Sequence, residues 1–400
     1  MLGAKNQKPR KKAPPALSPA AVLAVKAARA DAEARGRAAG FDAGLKHGIH
    51  YGMSQTVVER YRTVPGAPRH NVRVLYVTSG KGFPYLPIDE ALIASLQEGV
   101  ADFAAIPPDA NVTAAAKKFR PDLMLVLEGM QLPAEQTKAV RQRGVRTAVW
   151  FTDDPYYTDI TAGIAPQYDF VFTLEMNCVP FYTAIGCNQV HYMPLAANTS
   201  VFQPQRLAPA YRRDVSFIGS AYWNRVAFFD SIAPALAGKH AMLSGLWWDR
   251  LKHYSRLAGK IGLNHWMTPE ETAKYYFGSG VVINLHRAHD DDSYNHNSRK
   301  IPALSINPRT FEIAASGAFQ LTDERLDLRN MYEIGREIVT YASPNEFLEK
   351  MEYYLQHEEE RRDIALRGLA RTLRDHTYRR RIDALLDIVF GIPMEGGGPA

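Results

Sequence analysis

The sequence predicts an α/β protein made of two Rossmann-like domains that face a cleft, preceded by a helical extension. Apolar, β-branched runs alternate with helical stretches from residue 70 to about residue 345. A linker rich in Pro, Asn and Gln interrupts this series near residues 197–209. Strands that alternate with helices form parallel sheets covered on both faces. The length of 400 residues fits two such domains plus appendages.

The composition is that of a folded protein, with 46% hydrophobic and 22% charged residues. No stretch approaches the roughly 20 uninterrupted apolar residues that a membrane span needs. Cys178 and Cys187 are too few for a disulfide framework. We therefore predict a cytoplasmic protein. The predicted boundaries are a basic flexible tail at 1–17, a helical extension at 18–67, domains at 70–200 and 210–345, C-terminal helices at 346–390 and a tail at 391–400.

The positive charge is concentrated at the N-terminus. Residues 1–37 contain nine Lys and Arg residues and two acidic residues, a net charge of +7. The whole chain has a net charge of +6, so the remaining residues together carry −1. A nearly neutral body does not predict a fold with a broad phosphate-binding face. The basic arm is therefore either a solvated tail or a contact for an anionic partner.

The helical extension carries glycine at every fourth position. At 3.6 residues per turn these glycines follow one stripe, and each costs a helix about 1 kcal/mol relative to alanine. Close packing on a second helix or on the body of the protein would compensate, and a frayed helix is the alternative. The stripe makes a homo-oligomer possible; its members are Gly36, Gly40, Gly44, Gly48 and Gly52.

In the first domain, the sequence predicts five strands with helices between them. A glycine-bearing turn, Gly80-Lys81-Gly82, follows the first strand, where we expect it either to face the cleft from the first domain or simply to cover that end of the domain, which is the acceptor side. It is not a G-x-G-x-x-G motif, which excludes a dinucleotide-dependent oxidoreductase of the usual kind. The predicted strands are 72–77, 122–127, 146–151, 168–173 and 190–193; the predicted helices are 88–98, 133–142 and a short one that ends at 185.

The second domain repeats the pattern after the linker. A long helical C-terminus from 344 to 389 follows it. Because the carboxyl ends of parallel strands form ligand sites, a cleft between the two domains is the expected binding site. The predicted strands are 214–218, 240–243, 281–285, 318–322 and 338–341, and the predicted helices are 225–237, 269–277 and 308–316.

Residues 307–323, NPRTFEIAASGAFQLTD, resemble the signature of the glycosyltransferases related to the spore maturation protein CgeB. Further segments match that family in the same order. The resemblance covers about residues 70–390 and implies a B-type fold with two Rossmann domains, a nucleotide-sugar donor and, usually, no metal. The other matching segments are WFTDDP at 150–155, VSFIGS at 215–220 with Arg225, VINLHR at 282–287, YYL at 353–355, and HTY at 376–378 with Arg381.

The signature segment supplies the first candidate donor-binding residues. Glu312, expected in the first turn of a helix, can accept hydrogen bonds from both hydroxyls of a ribose, as the matching glutamate does in related retaining enzymes. The alternative is a carboxylate that complements a helix N-terminus. Arg309, with Asn307 before it, can hold a diphosphate beside free backbone N–H groups, or else pair with a neighbouring carboxylate.

Other donor-side candidates follow strands of the second domain. Gly219 and Ser220 lie in a turn where phosphate oxygens could approach the backbone, and Arg225 could add charge. Many strand-to-helix turns carry glycine, so this signal alone is weak. Asn284 and His286 are expected closest to the donor sugar.

Asp153 and Asp154 follow a strand of the first domain and are the candidate catalytic residues. Either one could act as a general base on an acceptor hydroxyl. The alternative is a turn or helix cap before Pro155. We expect no metal at this pair.

The segment from His286 to His296 mixes three histidines with Asp290, Asp291 and Asp292. A metal site is conceivable from these residue types, but we expect a mobile loop near the donor sugar instead. In retaining relatives, the position that corresponds to Leu304 carries a glutamate that contacts the hexose. Because this chain has leucine there, recognition of the sugar must differ, and transfer with retention or with inversion is left open.

The sequence thus predicts transfer of a sugar from a nucleotide-sugar donor to an acceptor hydroxyl, with no cofactor. The acceptor could be a protein, a surface polymer or a hydroxylated base in DNA. A non-catalytic sugar-binding or assembly protein of the same fold is the alternative.

Overall fold

The computed structural model of the chain describes residues 18–62 and 69–392, and the chain divides into two compact units after Gly52. The predicted basic tail at 1–17 lies outside the described residues, and so does most of the predicted tail at 391–400. The helical extension is present as one long helix, α1, Pro19–Tyr61.

The glycine stripe runs along α1 as the spacing predicts. A Cβ built on any of its five glycines would meet no atom of the described residues within 4 Å. Each of these glycines therefore leaves open space at the surface of α1. Close packing of the stripe on another surface, a second copy of the chain included, stays a prediction.

The first lobe is a six-stranded parallel sheet with the strand order β2-β1-β3-β4-β5-β6. Helices cover both of its faces. Its strands are β1 His70–Val77, β2 Val100–Ile106, β3 Leu123–Leu127, β4 Arg146–Phe151, β5 Phe170–Thr173 and β6 Val190–Tyr192. Its helices are α2 Leu86–Gly99, α3 Val112–Phe119, α4 Ala134–Arg141, α5 Thr158–Thr161 and α6 Cys178–Ala184.

The second lobe is another six-stranded parallel sheet, ordered β12-β11-β10-β7-β8-β9. Its strands are β7 Arg213–Ile218, β8 Ala241–Gly245, β9 Ile261–Leu263, β10 Ser279–Asn284, β11 Gln320–Asp323 and β12 Val339–Tyr341. Its helices are α7 Trp223–Ala237, α8 Tyr254–Leu257, α9 Pro269–Gly278, α10 Pro308–Ala315, α11 Leu328–Met331, α12 Pro344–Gln356 and α13 Glu358–Asp375; α14, Tyr378–Phe390, follows them.

The predicted α/β class with two parallel sheets is confirmed, but the sequence missed one strand in each sheet, β2 and β9, and also the helix α3 that follows β2. Both strands lie at an edge of their sheet. In β2 only Val100 is buried, so the strand lacks the continuous apolar run of a central strand.

The last helix, α14, completes the core of the first lobe rather than that of the second. Its apolar face packs beside α2 and belongs to the buried cluster under the first sheet. The chain thus crosses back between the lobes just before Tyr378. Arg381 fixes this crossing, because its Nε donates to the carbonyl of Pro194, 2.9 Å away, in the linker that leaves the first lobe. The buried residues of α14 in this cluster are Tyr378, Ile382, Leu385, Leu386 and Val389.

We expect Leu385→Ala to lower the free energy of unfolding by about 3 kcal/mol, because it opens a cavity in the core of the first lobe. The Leu385 side chain is fully buried. Leu326→Ala is the matched control, since Leu326 is 61% exposed. Chemical denaturation of both variants checks the prediction, and equal destabilisation would contradict the role of α14.

Candidate functional site

The carboxyl ends of the strands in both sheets open onto a shared cleft. The cleft encloses a cavity of about 380 Å³, a usual size for a small-molecule site. Its first-lobe wall includes Tyr85 and Asp153, and its second-lobe wall includes Gly219, Arg309 and Glu312. The cleft therefore lies where parallel α/β sheets bind ligands.

Two guanidinium groups lie side by side in the second-lobe wall. A Cβ built on Gly219 would come within 2.7 Å of Nη2 of Arg309 and 3.3 Å of Nη1 of Arg225. Arg225 is buried and donates to the carbonyls of Ser220, at 2.9 Å, and of Leu285, at 3.0 Å. Burial, and then the charge of Arg309, lower the pKa of Arg225 to about 9. The two side chains therefore place two positive charges next to each other in a part of the second-lobe wall that is shielded from water.

Arg309 is the member of this pair that remains available to bind a ligand. It is the second residue of α10, which is capped by the side chain of Asn307 through the N–H of Thr310. Its Nη1 is buried and has no hydrogen-bond partner. Among the described residues, neither Arg309 nor Arg225 has a carboxylate oxygen within 4.0 Å. An anionic ligand would satisfy this group.

Glu312 lies on the same helix and lines the cleft. It is the fifth residue of α10, so the expectation that it lies in the first turn is wrong. Burial raises its pKa to about 7, and the charge of Arg309 partly opposes this rise. Glu312 is therefore a carboxylate in a dry wall, close to the cation.

Asn284 and His286 hold the start of α10 in place. Asn284 is fully buried and does not line the cleft; its Nδ2 donates to Oγ1 of Thr310, 2.9 Å away, and its Oδ1 accepts from Nδ2 of Asn307 at 3.0 Å. The expectation that Asn284 lies nearest the donor sugar is therefore not met by the structure. His286 does line the cleft.

The hydrogen bonds of His286 fix its tautomer. Its Nε2 accepts from the backbone N–H of Asn307 at 2.9 Å, so Nδ1 carries the proton and donates to Oδ1 of Asp323 at 2.5 Å. Burial lowers the pKa of His286. For Asp323, burial acts to raise the pKa, but His286 and Arg325 hold it at about 2. The pair is a neutral imidazole on an ionised carboxylate.

Asp153 lies opposite, in the first-lobe wall after β4. It accepts a hydrogen bond from the hydroxyl of Tyr85, and Nζ of Lys81 is 3.9 Å from its Oδ2. Nζ of Lys81 lies closer to Oε2 of Glu128, at 3.0 Å. Burial and the charge of Glu128 raise the pKa of Asp153 to about 6, although Tyr85, Lys81 and Arg287 act against this rise. Asp153 is therefore a carboxylate with increased proton affinity at the cleft surface.

The neighbouring Asp154 has a different environment. It is 1% exposed, and both of its oxygens accept hydrogen bonds, from Oγ1 of Thr173 at 2.7 Å and from the hydroxyl of Tyr182 at 2.9 Å. Burial raises its pKa to about 7. These contacts tie the turn after β4 to β5 and α6.

The turn at Gly80, Lys81 and Gly82 does not itself line the cleft. Gly80 and Gly82 have φ values of +71° and +66°, which favour glycine. Nζ of Lys81 lies 4.2 Å from the ring centroid of Tyr85 and points to Glu128. The residues that the turn brings to the cleft, Phe83 and Tyr85, come directly after it.

The long loop between β10 and α10 contacts the first lobe through hydrogen bonds, and its expected mobility stays a prediction. The N–H of His296 donates to the carbonyl of Tyr156 at 2.7 Å, and the N–H of Asp159 donates to the carbonyl of His296 at 2.9 Å. Glu175 of the first lobe accepts from the N–H groups of Leu304, at 3.1 Å, and Ser305, at 3.0 Å. The described part of the chain contains no group of three His, Cys, Asp or Glu side chains that could hold a metal ion.

Several residues of the site escaped the sequence analysis. Glu128, Tyr85 and Glu175 each follow a first-lobe strand or turn, and that position was the available signal. Glu128 has a positive φ of 66°, which the preceding apolar run does not reveal. Arg287 lies in a matched segment, but its stacking on Tyr222, with Cζ 4.4 Å from the ring centroid, depends on the tertiary fold.

The fold is that of the B-type glycosyltransferases. Solved structures with the same fold include Anabaena HepE in complex with UDP-glucose, with a TM-score of 0.56, 10% identity and coverage of 80% of this chain and 100% of that chain. Another is the sucrose-phosphate synthase of Thermosynechococcus elongatus, with a TM-score of 0.52, 11% identity and the same coverage of both chains.

A relative with similar sequence identifies the family within this fold class. Spore protein CgeB of Bacillus subtilis (strain 168) is 30% identical over 309 residues, which cover 77% of this chain and 95% of that protein. The family model described as glycosyl transferase-like matches residues 225–387. The chain belongs to the CgeB-like family of glycosyltransferases, as the resemblance implied. Within the described residues, every helix is too short or too polar to cross a bilayer.

We expect Gly245→Ala to destabilise the second lobe by about 2 kcal/mol, because added atoms in a packed region force backbone shifts. Gly245 ends β8, and a Cβ there would lie 2.3 Å from the carbonyl oxygen of Gly219. Gly259→Ala is the control, since its Cβ would meet nothing within 4 Å. Thermal unfolding checks the prediction, and an unchanged midpoint for Gly245→Ala would contradict the close approach of the two turns.

Proposed function

We propose that this protein transfers a sugar from a nucleotide-sugar donor to an acceptor hydroxyl in the interlobe cleft. The observation that carries the proposal is the Nη1 of Arg309, which is buried without a hydrogen-bond partner beside the buried Arg225. Two adjacent cations that lack a carboxylate partner match the charge of a pyrophosphate. The UDP and UDP-glucose complexes of HepE, a protein of the same fold, are consistent with such a donor.

The diphosphate would lie between the turn at Gly219 and the start of α10. The missing Cβ of Gly219 lets the guanidinium of Arg309 approach this turn, and Gly219, Ser220 and Arg309 line the same part of the cleft. As the glycosidic bond breaks, negative charge develops on the leaving diphosphate. Cations already fixed in the wall stabilise that charge without reorganisation. The proposal therefore requires no metal cofactor.

Glu312 would bind the ribose of the donor. A carboxylate accepts hydrogen bonds from both ribose hydroxyls, and Glu312 lies three residues after Arg309 on the same helix, in the cleft wall. His286 and Asn284 would act indirectly, because their hydrogen bonds fix Asn307 and with it the start of α10.

Asp153 would act as the general base on the acceptor hydroxyl. It lines the cleft opposite the cationic wall, and its pKa of about 6 suits a base that works near neutral pH. Asp154 would hold the turn, since its oxygens are occupied by Thr173 and Tyr182. The different hydrogen bonds of Asp153 and Asp154 thus favour different roles for the two carboxylates.

We expect Arg309→Ala to weaken binding of nucleoside diphosphates at least tenfold, because it removes the available half of the cationic pair. UDP, GDP and dTDP are titrated into the full chain and the thermal unfolding midpoint is recorded. Ligand present at 100 times its dissociation constant stabilises a protein by about 2.7 kcal/mol. Arg329→Ala is the control, because Arg329 is exposed on α11.

Absence of stabilisation of the wild-type protein by every nucleotide would overturn the donor site. Stabilisation without any sugar hydrolysis or transfer would instead favour the non-catalytic sugar-binding alternative.

The pH dependence of transfer tests the role of Asp153. Transfer should rise with pH through about 6, because the carboxylate must be unprotonated to accept the proton. Glu128→Gln removes a negative charge that raises this pKa, so the rising limb should move to lower pH. Lys81→Met removes a cation that lowers it, so the limb should move to higher pH. Each shift should be on the order of one unit. Shifts in the same direction would contradict the assignment.

A further inference from the structure

The two walls of the cleft carry charge of opposite sign. The second-lobe wall contributes Arg225, Arg287 and Arg309 against Glu270 and Glu312, so its charge is positive by one. Among the described residues, the first-lobe wall contributes no Lys or Arg side chain to the lining, and its charged residues, Glu90 and Asp153 among them, are acidic. The acceptor enters against the first-lobe wall if the donor diphosphate occupies the cationic one.

The nearest first-lobe cation is neutralised by its surroundings. Nζ of Lys81 lies 3.0 Å from Oε2 of the buried Glu128, and the Lys81 side chain is only 15% exposed. The ring of Tyr85, which lines the cleft, lies 4.2 Å from the ammonium. An anionic acceptor at the first-lobe wall would therefore meet carboxylates without a lining cation from the same lobe, and like-charge contacts of this kind suppress binding.

Two aromatic rings from opposite lobes meet in the lining of the same cleft. Phe83 of the first lobe and Trp266 of the second lobe are in edge-to-face contact, with ring centroids 5.2 Å apart. They remain 45% and 48% exposed, although large apolar side chains are normally buried. Exposed rings beside carboxylates suit a sugar ring, which has an apolar C–H face and a rim of hydroxyls.

We infer that the acceptor is an uncharged saccharide, which packs its apolar face on Phe83 and Trp266 and hydrogen-bonds its hydroxyls to Glu90 and Asp153. This inference rests on the proposed function and specifies its acceptor. A DNA acceptor would need cations for its phosphates, and its base would have to leave the stack. The first-lobe wall provides no such cation among the residues described.

The transfer step balances with the groups named. The acceptor oxygen bonds to the anomeric carbon of the donor sugar, and the bond from that carbon to the diphosphate oxygen breaks. The hydroxyl proton passes to Asp153, and the electron pair of the broken bond leaves on the diphosphate beside Arg309. Asp153 thus touches the acceptor, while Phe83, Trp266 and Glu90 select it.

Matched acceptors test the inference on the full-length protein. The donor is whichever of the UDP-, GDP- and dTDP-hexoses the wild-type protein hydrolyses fastest. The acceptors are 4-nitrophenyl glucoside, 4-nitrophenyl glucuronide, a serine- and threonine-containing peptide, and a duplex with hydroxymethylated cytosine. We expect kcat/KM for the glucoside to exceed that for the glucuronide at least tenfold, and no transfer to peptide or DNA above background.

Variants separate a binding role from a structural one. Phe83→Ala should raise KM for the glucoside at least fivefold and raise KM for the donor much less. Glu90→Lys should reduce the preference for the glucoside over the glucuronide. Leu86→Ala is the matched control, because Leu86 is 49% exposed on the adjoining chain but does not line the cleft. It should leave both KM values unchanged.

Each remaining outcome overturns a defined statement. Equal or better use of the glucuronide, the peptide or the DNA overturns the saccharide inference. Donor hydrolysis without transfer to the glucoside also overturns the inference, while the donor site survives. Failure of every nucleotide sugar to be hydrolysed, together with failure of every nucleotide to stabilise the protein, overturns the proposed function and the inference with it.

Discussion

The site depends on the electrostatic repulsion between Arg225 and Arg309. Two guanidinium groups that share a desolvated wall are unfavourable unless something of opposite charge joins them. Arg225 is held in place by carbonyls of the turn after β7 and of the segment after β10, while Arg309 is held by the capped start of α10. The fold therefore holds two cations side by side, an arrangement that a bound anion would stabilise.

The topology explains why so few segments build the site. All twelve strands of the described residues are parallel within their sheets, so each sheet sends every strand-to-helix turn to one edge. The turns after β1, β4 and β5 form the acidic and aromatic wall, and those after β7, β9 and β10 contribute to the wall that carries the arginines. Glu175 accepts hydrogen bonds from backbone N–H groups of the loop before α10 and so connects the two walls. The two walls are thus mechanically linked.

The sequence was sufficient for the features that depend on local pattern. The apolar runs located nearly all central strands, and the ordered motifs identified the family and the second-lobe wall. Features that depend on tertiary contacts could not be predicted. Nothing local distinguishes Asp153 from Asp154, because their environments differ only through Tyr85, Thr173 and Tyr182. Likewise, Lys81 has the position of a phosphate ligand, and only the buried Glu128 shows that its charge is already compensated.

The return of α14 to the first lobe has a consequence for biosynthesis. The six strands of the first lobe are complete by Tyr192, but one of its covering helices, α14, is made only when residues 378–390 have left the ribosome. While the second lobe is translated, the apolar surface that α14 later covers lacks this helix, and exposed apolar surface of this kind makes a nascent chain prone to aggregation. The two lobes consequently cannot be separated by cutting the chain at the linker, and a fragment that ends before Tyr378 is an incomplete first lobe joined to an intact second one.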